Sequence, residues 1–76
     1  MNQEQKAKQR FVDRRLQPLM QAASGNDVCA CTFIEDAGDE YVLVKMRSQF
    51  SLRVEVTGLG YAELAAKCLQ RLIDKA

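Results

Sequence analysis

Hydrophobic residues recur early in the chain at Val12, Leu16, Leu19, Met20 and Ala23. This is the i, i+4, i+7, i+8, i+11 spacing of one helical stripe, and it predicts a helix from about residue 3 to residue 23, ended by Ser24 and Gly25. Pro18 falls inside the pattern, roughly opposite the stripe, where the carbonyl of Arg14 that it leaves unpaired can turn to water. The expectation is a kink, or a break with Pro18 opening a second short helix. Phe11 lies off the stripe, as a rim contact or as part of an interface.

The period then changes. Val28 to Ile34 reads Val-Cys-Ala-Cys-Thr-Phe-Ile, a run rich in β-formers, followed by Asp36-Ala37-Gly38, which suits a type I turn with glycine in the left-handed bulge position. A second arm, Glu40 to Arg47, alternates Val42, Val44 and Met46 with Tyr41, Leu43, Lys45 and Arg47. A third, Ser51 to Thr57, places Leu52, Val54 and Val56 on one face. Direct meeting of Val42, Val44 and Met46 with Val56, Val54 and Leu52 requires an odd-numbered loop, which Ser48-Gln49-Phe50 supplies. After Gly58 and Gly60, the residues Tyr61, Leu64, Ala65, Cys68, Leu69 and Leu72 form a second apolar stripe, with Gly60 as N-cap and Glu63 in a capping-box position.

The elements predict an α+β fold of order α-β-β-β-α: a three-stranded antiparallel meander with two helices packed on the valine-bearing face. The other face is then open, with Tyr41, Leu43, Lys45, Arg53 and Glu55 on it. If the Asp-Ala-Gly bulge sets Glu35 opposite Asp39, Phe33, Cys31 and Cys29 join them; the alternative register exposes Val28, Ala30 and Ile34 instead. Either way the first strand is apolar on both sides at a sheet edge, where such a strand templates association unless covered.

Length and composition narrow the functional classes. A chain of 76 residues, 47% hydrophobic and 28% charged, is expected to form one domain near the lower size limit for an unaided core. No stretch approaches a membrane span, and the start, Asn2-Gln3-Glu4-Gln5-Lys6, does not read as a signal peptide, so a cytoplasmic protein is expected. The three cysteines are odd in number, which favours reduced thiols over a disulfide scaffold. The net charge of +1 hides a basic first segment (Lys6, Lys8, Arg10, Arg14, Arg15) and an acidic stretch (Asp27, Glu35, Asp36, Asp39, Glu40). Such a pair of regions can attract a nucleic acid, an acidic partner or another copy of the chain.

Catalytic chemistry has little to work with. The sequence contains no histidine, so the commonest general base and the Ser-His and Cys-His nucleophile pairs are missing. Glu35 to Glu40 lacks the alternating spacing of a calcium loop and reads as a solvated hairpin tip. Cys29 and Cys31 would project to one side of a strand, but with Cys68 they fall short of the four ligands of a structural zinc site. Thr57-Gly58-Leu59-Gly60 has glycines like those of a phosphate-cradling turn, yet it follows the last strand, where glycines simply reverse the chain. No catalytic, cofactor-binding or metal residues are therefore assigned, and no small-molecule substrate is inferred.

The order helix–strand–strand–strand–helix is similar, as bare architecture, to that of the Alu-RNA-binding subunits of the signal recognition particle. That likeness implies paired chains and an RNA-facing sheet, and it rests on element order alone. The expected function is a non-enzymatic interaction module acting as a homodimer or in a small assembly through Cys29, Cys31, Phe33, Tyr41 and Leu43. The alternative is a nucleic-acid-binding module using Arg10, Arg14, Arg15, Lys45, Arg47 and Arg53, with Tyr41 and Phe33 available to stack on bases.

Overall fold

The chain enters its first helix through a reciprocal cap. In the computed structural model, which describes residues 2–48 and 51–75, Asn2 Oδ1 accepts from the Gln5 N–H at 2.8 Å and Gln5 Oε1 accepts from the Asn2 N–H at 3.1 Å. Helix α1 (Gln3–Phe11) runs into a wide turn, Val12–Leu16, built on i→i+5 hydrogen bonds, and then into α2 (Gln17–Ala23). The expected interruption takes this form: Pro18 sits in the first turn of α2, where its missing N–H is least felt.

The wide turn also selects the buried stripe. Lys8, Val12, Leu16 and Met20 succeed one another by four residues, and each such step overshoots a full α-helical turn by ~40°. A segment with more residues per turn takes back that drift and keeps all four on the sheet side, where all are buried. Leu19, expected on the stripe, is instead 48% exposed, and Ala23 is exposed as well.

Three antiparallel strands, β1 (Val28–Asp36), β2 (Asp39–Met46) and β3 (Ser51–Glu55), lie in the order β1-β2-β3. Their hairpin corrects the expected turn. Asp36 pairs with Asp39 across a two-residue loop in which Ala37 (φ 51°) and Gly38 (φ 90°) are both left-handed, as in a type I′ turn, in place of the bulged turn that would set Glu35 opposite Asp39. Phe33 therefore faces Val42 and Cys31 faces Val44, on the core side. A bulge between Val28 and Ala30 then shifts the register, so Val28 is buried while Cys29 is exposed. Cys29 and Cys31 consequently do not share a side.

The second register keeps its expected parity but slides by two residues. Val42 pairs with Val54, Val44 with Leu52 and Lys45 with Ser51, so the last paired residues are separated by five positions, 46–50, again an odd number. Lys45 and Arg53 are therefore not opposite one another. The expected turn residues Gln49 and Phe50 lie outside the described residues. Val56, just beyond β3, donates its N–H to the Glu40 carbonyl at 2.9 Å and is fully buried.

Helix α3 (Tyr61–Lys75) begins after Gly60, whose carbonyl accepts from the Leu64 N–H at 2.9 Å. It buries Leu64, Cys68 and Leu72 against the sheet. Phe11 is a rim contact, stacked on Tyr61 with ring centroids 4.9 Å apart. The fold is thus α+β, with α-β-β-β-α order and the helices on one side of the sheet. One continuous core joins the N-terminal helix (Val12, Leu16, Met20), the inner sheet face (Val28, Cys31, Phe33, Val42, Val44, Leu52, Val54, Val56) and α3.

Inside this core lies an ion pair that links the basic segment to the acidic one. Lys8 Nζ donates to Glu40 Oε1 at 3.0 Å, with side-chain exposures of only 5% and 8%. The Gly58 N–H also donates to Glu40 Oε1 at 3.0 Å, and Gln5 Nε2 donates to Oε2 at 3.3 Å. Burial pushes the Glu40 carboxyl up, but Gly58, Lys8 and Gln5 together outweigh it and hold the group below its ordinary value. Gly58 makes its contact from a left-handed conformation (φ 76°), which glycine adopts without the steric penalty of a Cβ.

Candidate interaction surface

With the helices on one face, the outward-pointing side chains of the sheet form rows on the other. Strand pairing fixes them: Ile34–Tyr41–Glu55, then Thr32–Leu43–Arg53, then Ala30–Lys45–Ser51. Asp36 and Asp39, opposite each other, continue the face at the hairpin end. Ala30, Ile34, Tyr41 and Leu43 are half-buried, while Thr32, Lys45, Arg53, Glu55, Asp36 and Asp39 are exposed. An apolar centre thus lies between an acidic end and a basic end.

Arg53 does not extend away from this surface. Its guanidinium carbon lies 3.9 Å from the centroid of the Tyr41 ring, a cation–π contact that holds the charge flat over the sheet. Glu55 accepts from the Thr57 hydroxyl at 2.6 Å, and Thr57 Oγ1 in turn accepts from the Glu40 N–H at 2.8 Å. Arg53 is therefore placed by a side chain of the neighbouring strand, and Glu55 by Thr57, two residues further along its own segment.

Of the residues expected at an oligomer interface, Tyr41 and Leu43 lie on the open face and Cys29 is exposed at the bulge. Cys31 and Phe33, at 2% and 1% exposure, are core residues and leave that set. The two-residue hairpin is the reason, because one step of register exchanges the two faces of a strand. Phe33 is likewise unavailable to stack on a base. The outer edge of β1 is partly closed by the helix: Gln17 Oε1 accepts from the Cys31 N–H at 3.0 Å and Gln21 Nε2 donates to the Cys29 carbonyl at 3.2 Å. Two glutamines thus occupy backbone groups that would otherwise be free to pair with another strand.

The expected nucleic-acid contacts divide into separate groups. Lys45 and Arg53 belong to the open face, and Arg47 is exposed just past the end of β2. Arg10, Arg14 and Arg15 are exposed on the helix that covers the opposite side of the sheet. Lys8, from the same basic segment, is neutralised by Glu40, a pairing that the sequence signals only by placing a lysine four residues before Val12 on the buried stripe.

Two concave regions lie elsewhere. A cleft of about 490 Å³, lined chiefly by Met46, Leu69, Leu72 and Ile73, with Asp27 and Lys75 also on its wall, opens where α2 ends beside α3. A shallower one of about 290 Å³ lies between α1 and β1, with Arg10 and Asp13 facing Thr32 and Phe33. Among the described residues no group of Cys, Asp and Glu is placed to hold a metal ion. All three cysteines are free, and burial pushes the thiols of Cys31 and Cys68 up to about 11 and about 12, far from the range of a reactive thiolate. No helix among the described residues is long and apolar enough to cross a membrane. Comparison with protein-family models, curated proteins and solved structures yields no match.

Proposed function

We propose that this chain is a non-enzymatic interaction module of the cytoplasm that docks through the open face of its sheet, with a second copy of itself as the first partner. The observation that carries this reading is the half-buried centre formed by Ala30, Ile34, Tyr41 and Leu43 on the face opposite the helices. Large apolar side chains on an otherwise polar sheet face gain by being covered, and charged residues around them fit the rim of an interface. Four rows on three strands span roughly 20 Å by 15 Å, a small contact, so the expected self-affinity is micromolar. The free thiols suit a reducing compartment. Size-exclusion chromatography with light scattering, run up to hundreds of micromolar, tests the reading: a concentration-dependent dimer is expected, and a strict monomer throughout removes self-association.

Nucleic-acid binding is the second reading, favoured by Lys45, Arg53 and Tyr41 sharing one open face. It ranks lower because Asp36, Asp39 and Glu55 on that face repel a polyanion. Fluorescence anisotropy with single- and double-stranded RNA and DNA decides it. Binding that weakens steeply with salt would support this reading, and none at low salt would end it.

A further inference from the structure

The charge pattern of the open face is self-complementary in one orientation only. Two sheets meeting face to face about a two-fold axis can place that axis along the strands or across them. An axis along the strands sets β2 on β2 in the same direction, so Asp39 meets Asp39, Lys45 meets Lys45 and like charges are stacked. With the axis across the strands, between the Tyr41 and Leu43 rows, every row meets a different one. Arg53 then faces Glu55 of the second copy and Glu55 faces its Arg53; Lys45 and Asp39 pair in the same reciprocal way; Tyr41 meets Leu43 at the centre. These correspondences follow from the strand pairings Ile34–Tyr41–Glu55, Thr32–Leu43–Arg53 and Ala30–Lys45–Ser51.

We propose that the chain forms an isologous dimer in which the open sheet faces pack with their strands antiparallel, joined by reciprocal Arg53–Glu55 and Lys45–Asp39 pairs around a Tyr41–Leu43 centre. The inference rests on the reading of the open face as the docking surface and adds its partner geometry. Aligned sheets cross at ~30°, which displaces residues on an edge strand by roughly 3 Å, within the reach of arginine and glutamate side chains. The stacking of Arg53 on Tyr41 favours the contact, since the guanidinium already lies over the face before the second copy arrives. Lys45 and Asp39 are exposed and at opposite ends of β2, the separation the reciprocal pairing needs.

Charge reversal separates the alternatives. Arg53→Glu sets two glutamates against each other at each of two symmetric contacts, and Glu55→Arg does the same with arginines. Each variant alone is expected to dimerise about tenfold to a hundredfold more weakly than the parent. An equimolar mixture of R53E and E55R restores opposite charges at both contacts, and light scattering with differently tagged chains should recover a heterodimer of near-parental affinity. Leu43→Glu is the control for the face itself, and circular dichroism verifies that every variant is folded. A monomeric parent overturns the self-association reading, and a dimeric L43E overturns the choice of face. If L43E is monomeric but R53E remains a dimer, or the mixture fails to pair, the face stands and the antiparallel arrangement is wrong.

Discussion

Replacing Lys8 with methionine tests the buried ion pair most directly, because methionine keeps an unbranched stem and removes the ammonium group with its charge and its hydrogen bond to Glu40. Side-chain exposures of 5% and 8% place the Lys8–Glu40 pair with buried rather than surface salt bridges. Loss of one partner from such a pair typically costs about 3–5 kcal/mol, against ~1 kcal/mol or less at a surface. Gly58 and Gln5 still donate to the carboxylate in the variant, so the low end, about 3 kcal/mol, is expected. That is a large share of a total stability on the order of 4–11 kcal/mol for a chain of this size.

The pH dependence carries the sharper signature. In the parent, the Glu40 carboxyl is held below its ordinary value, so its contribution is present above about pH 5 and is lost as the pH falls through the depressed folded value. Without Lys8, its hydrogen bond and its charge no longer pull the group down, so the folded value moves upward from that of the parent. Lys8→Met should therefore lose less stability on acidification than the parent, and the gap between them should narrow as the pH falls below about 5. Urea unfolding followed by far-ultraviolet circular dichroism between about pH 2.5 and pH 7 measures both trends. The double variant K8M/E40Q, whose amide oxygen can keep the Gly58 N–H, should lose less than K8M alone at pH 7. A K8M loss under about 1 kcal/mol at every pH would refute the reasoning, since it would mean that water screens the pair.

Two further outcomes are expected. Ala37→Asn should raise stability by about 1 kcal/mol, seen as a higher melting temperature, because asparagine tolerates the left-handed conformation that alanine holds here at φ 51°; no gain would mean that Ala37 is not under this strain. With a colorimetric thiol reagent at pH 8, exposed Cys29 should react rapidly in the folded protein, while Cys31 and Cys68, pushed up to about 11 and about 12 by burial, should wait for urea. Three fast thiols would contradict the placement of the core.

Element order and the valine face of the sheet were legible because each rests on a strong period. Val42, Val44, Leu52 and Val54 alternate strictly and end in the core, as do Leu64, Cys68 and Leu72 at helical spacing. The features that escaped depend on small departures from a period. An i→i+5 turn moved Leu19 and Ala23 off the stripe, and a bulge at Cys29 separated it from Cys31. The reciprocal cap of Asn2 and Gln5 had a readable signal three residues apart. Lys8 and Glu40, 32 residues apart, counted in sequence as members of opposite charge runs, although Lys8 already sat on the apolar stripe. On the candidate surface, Tyr41, Leu43, Lys45, Arg53 and Glu55 were legible from β2 and β3, whereas the contribution of β1 depended on its turn.

That turn is where local preference and packing conflict. Asp36-Ala37-Gly38 suits a bulged three-residue loop, with glycine alone left-handed, whereas the observed hairpin makes alanine left-handed as well at a cost of roughly 1–2 kcal/mol. The bulged loop would turn Phe33 and Cys31 outward, and full burial of one phenylalanine side chain alone is worth about 1.5–3 kcal/mol. In the observed register Phe33 and Cys31 are completely covered, while Ile34 and Ala30 remain half-covered on the outer face, so little apolar burial is forfeited on either side. Core packing thus outweighs turn preference, and the same choice leaves Ile34 and Ala30 beside Tyr41 and Leu43. The apolar centre of the open face is a consequence of how the core was filled, and Asp39, Lys45, Arg53 and Glu55 lie around it.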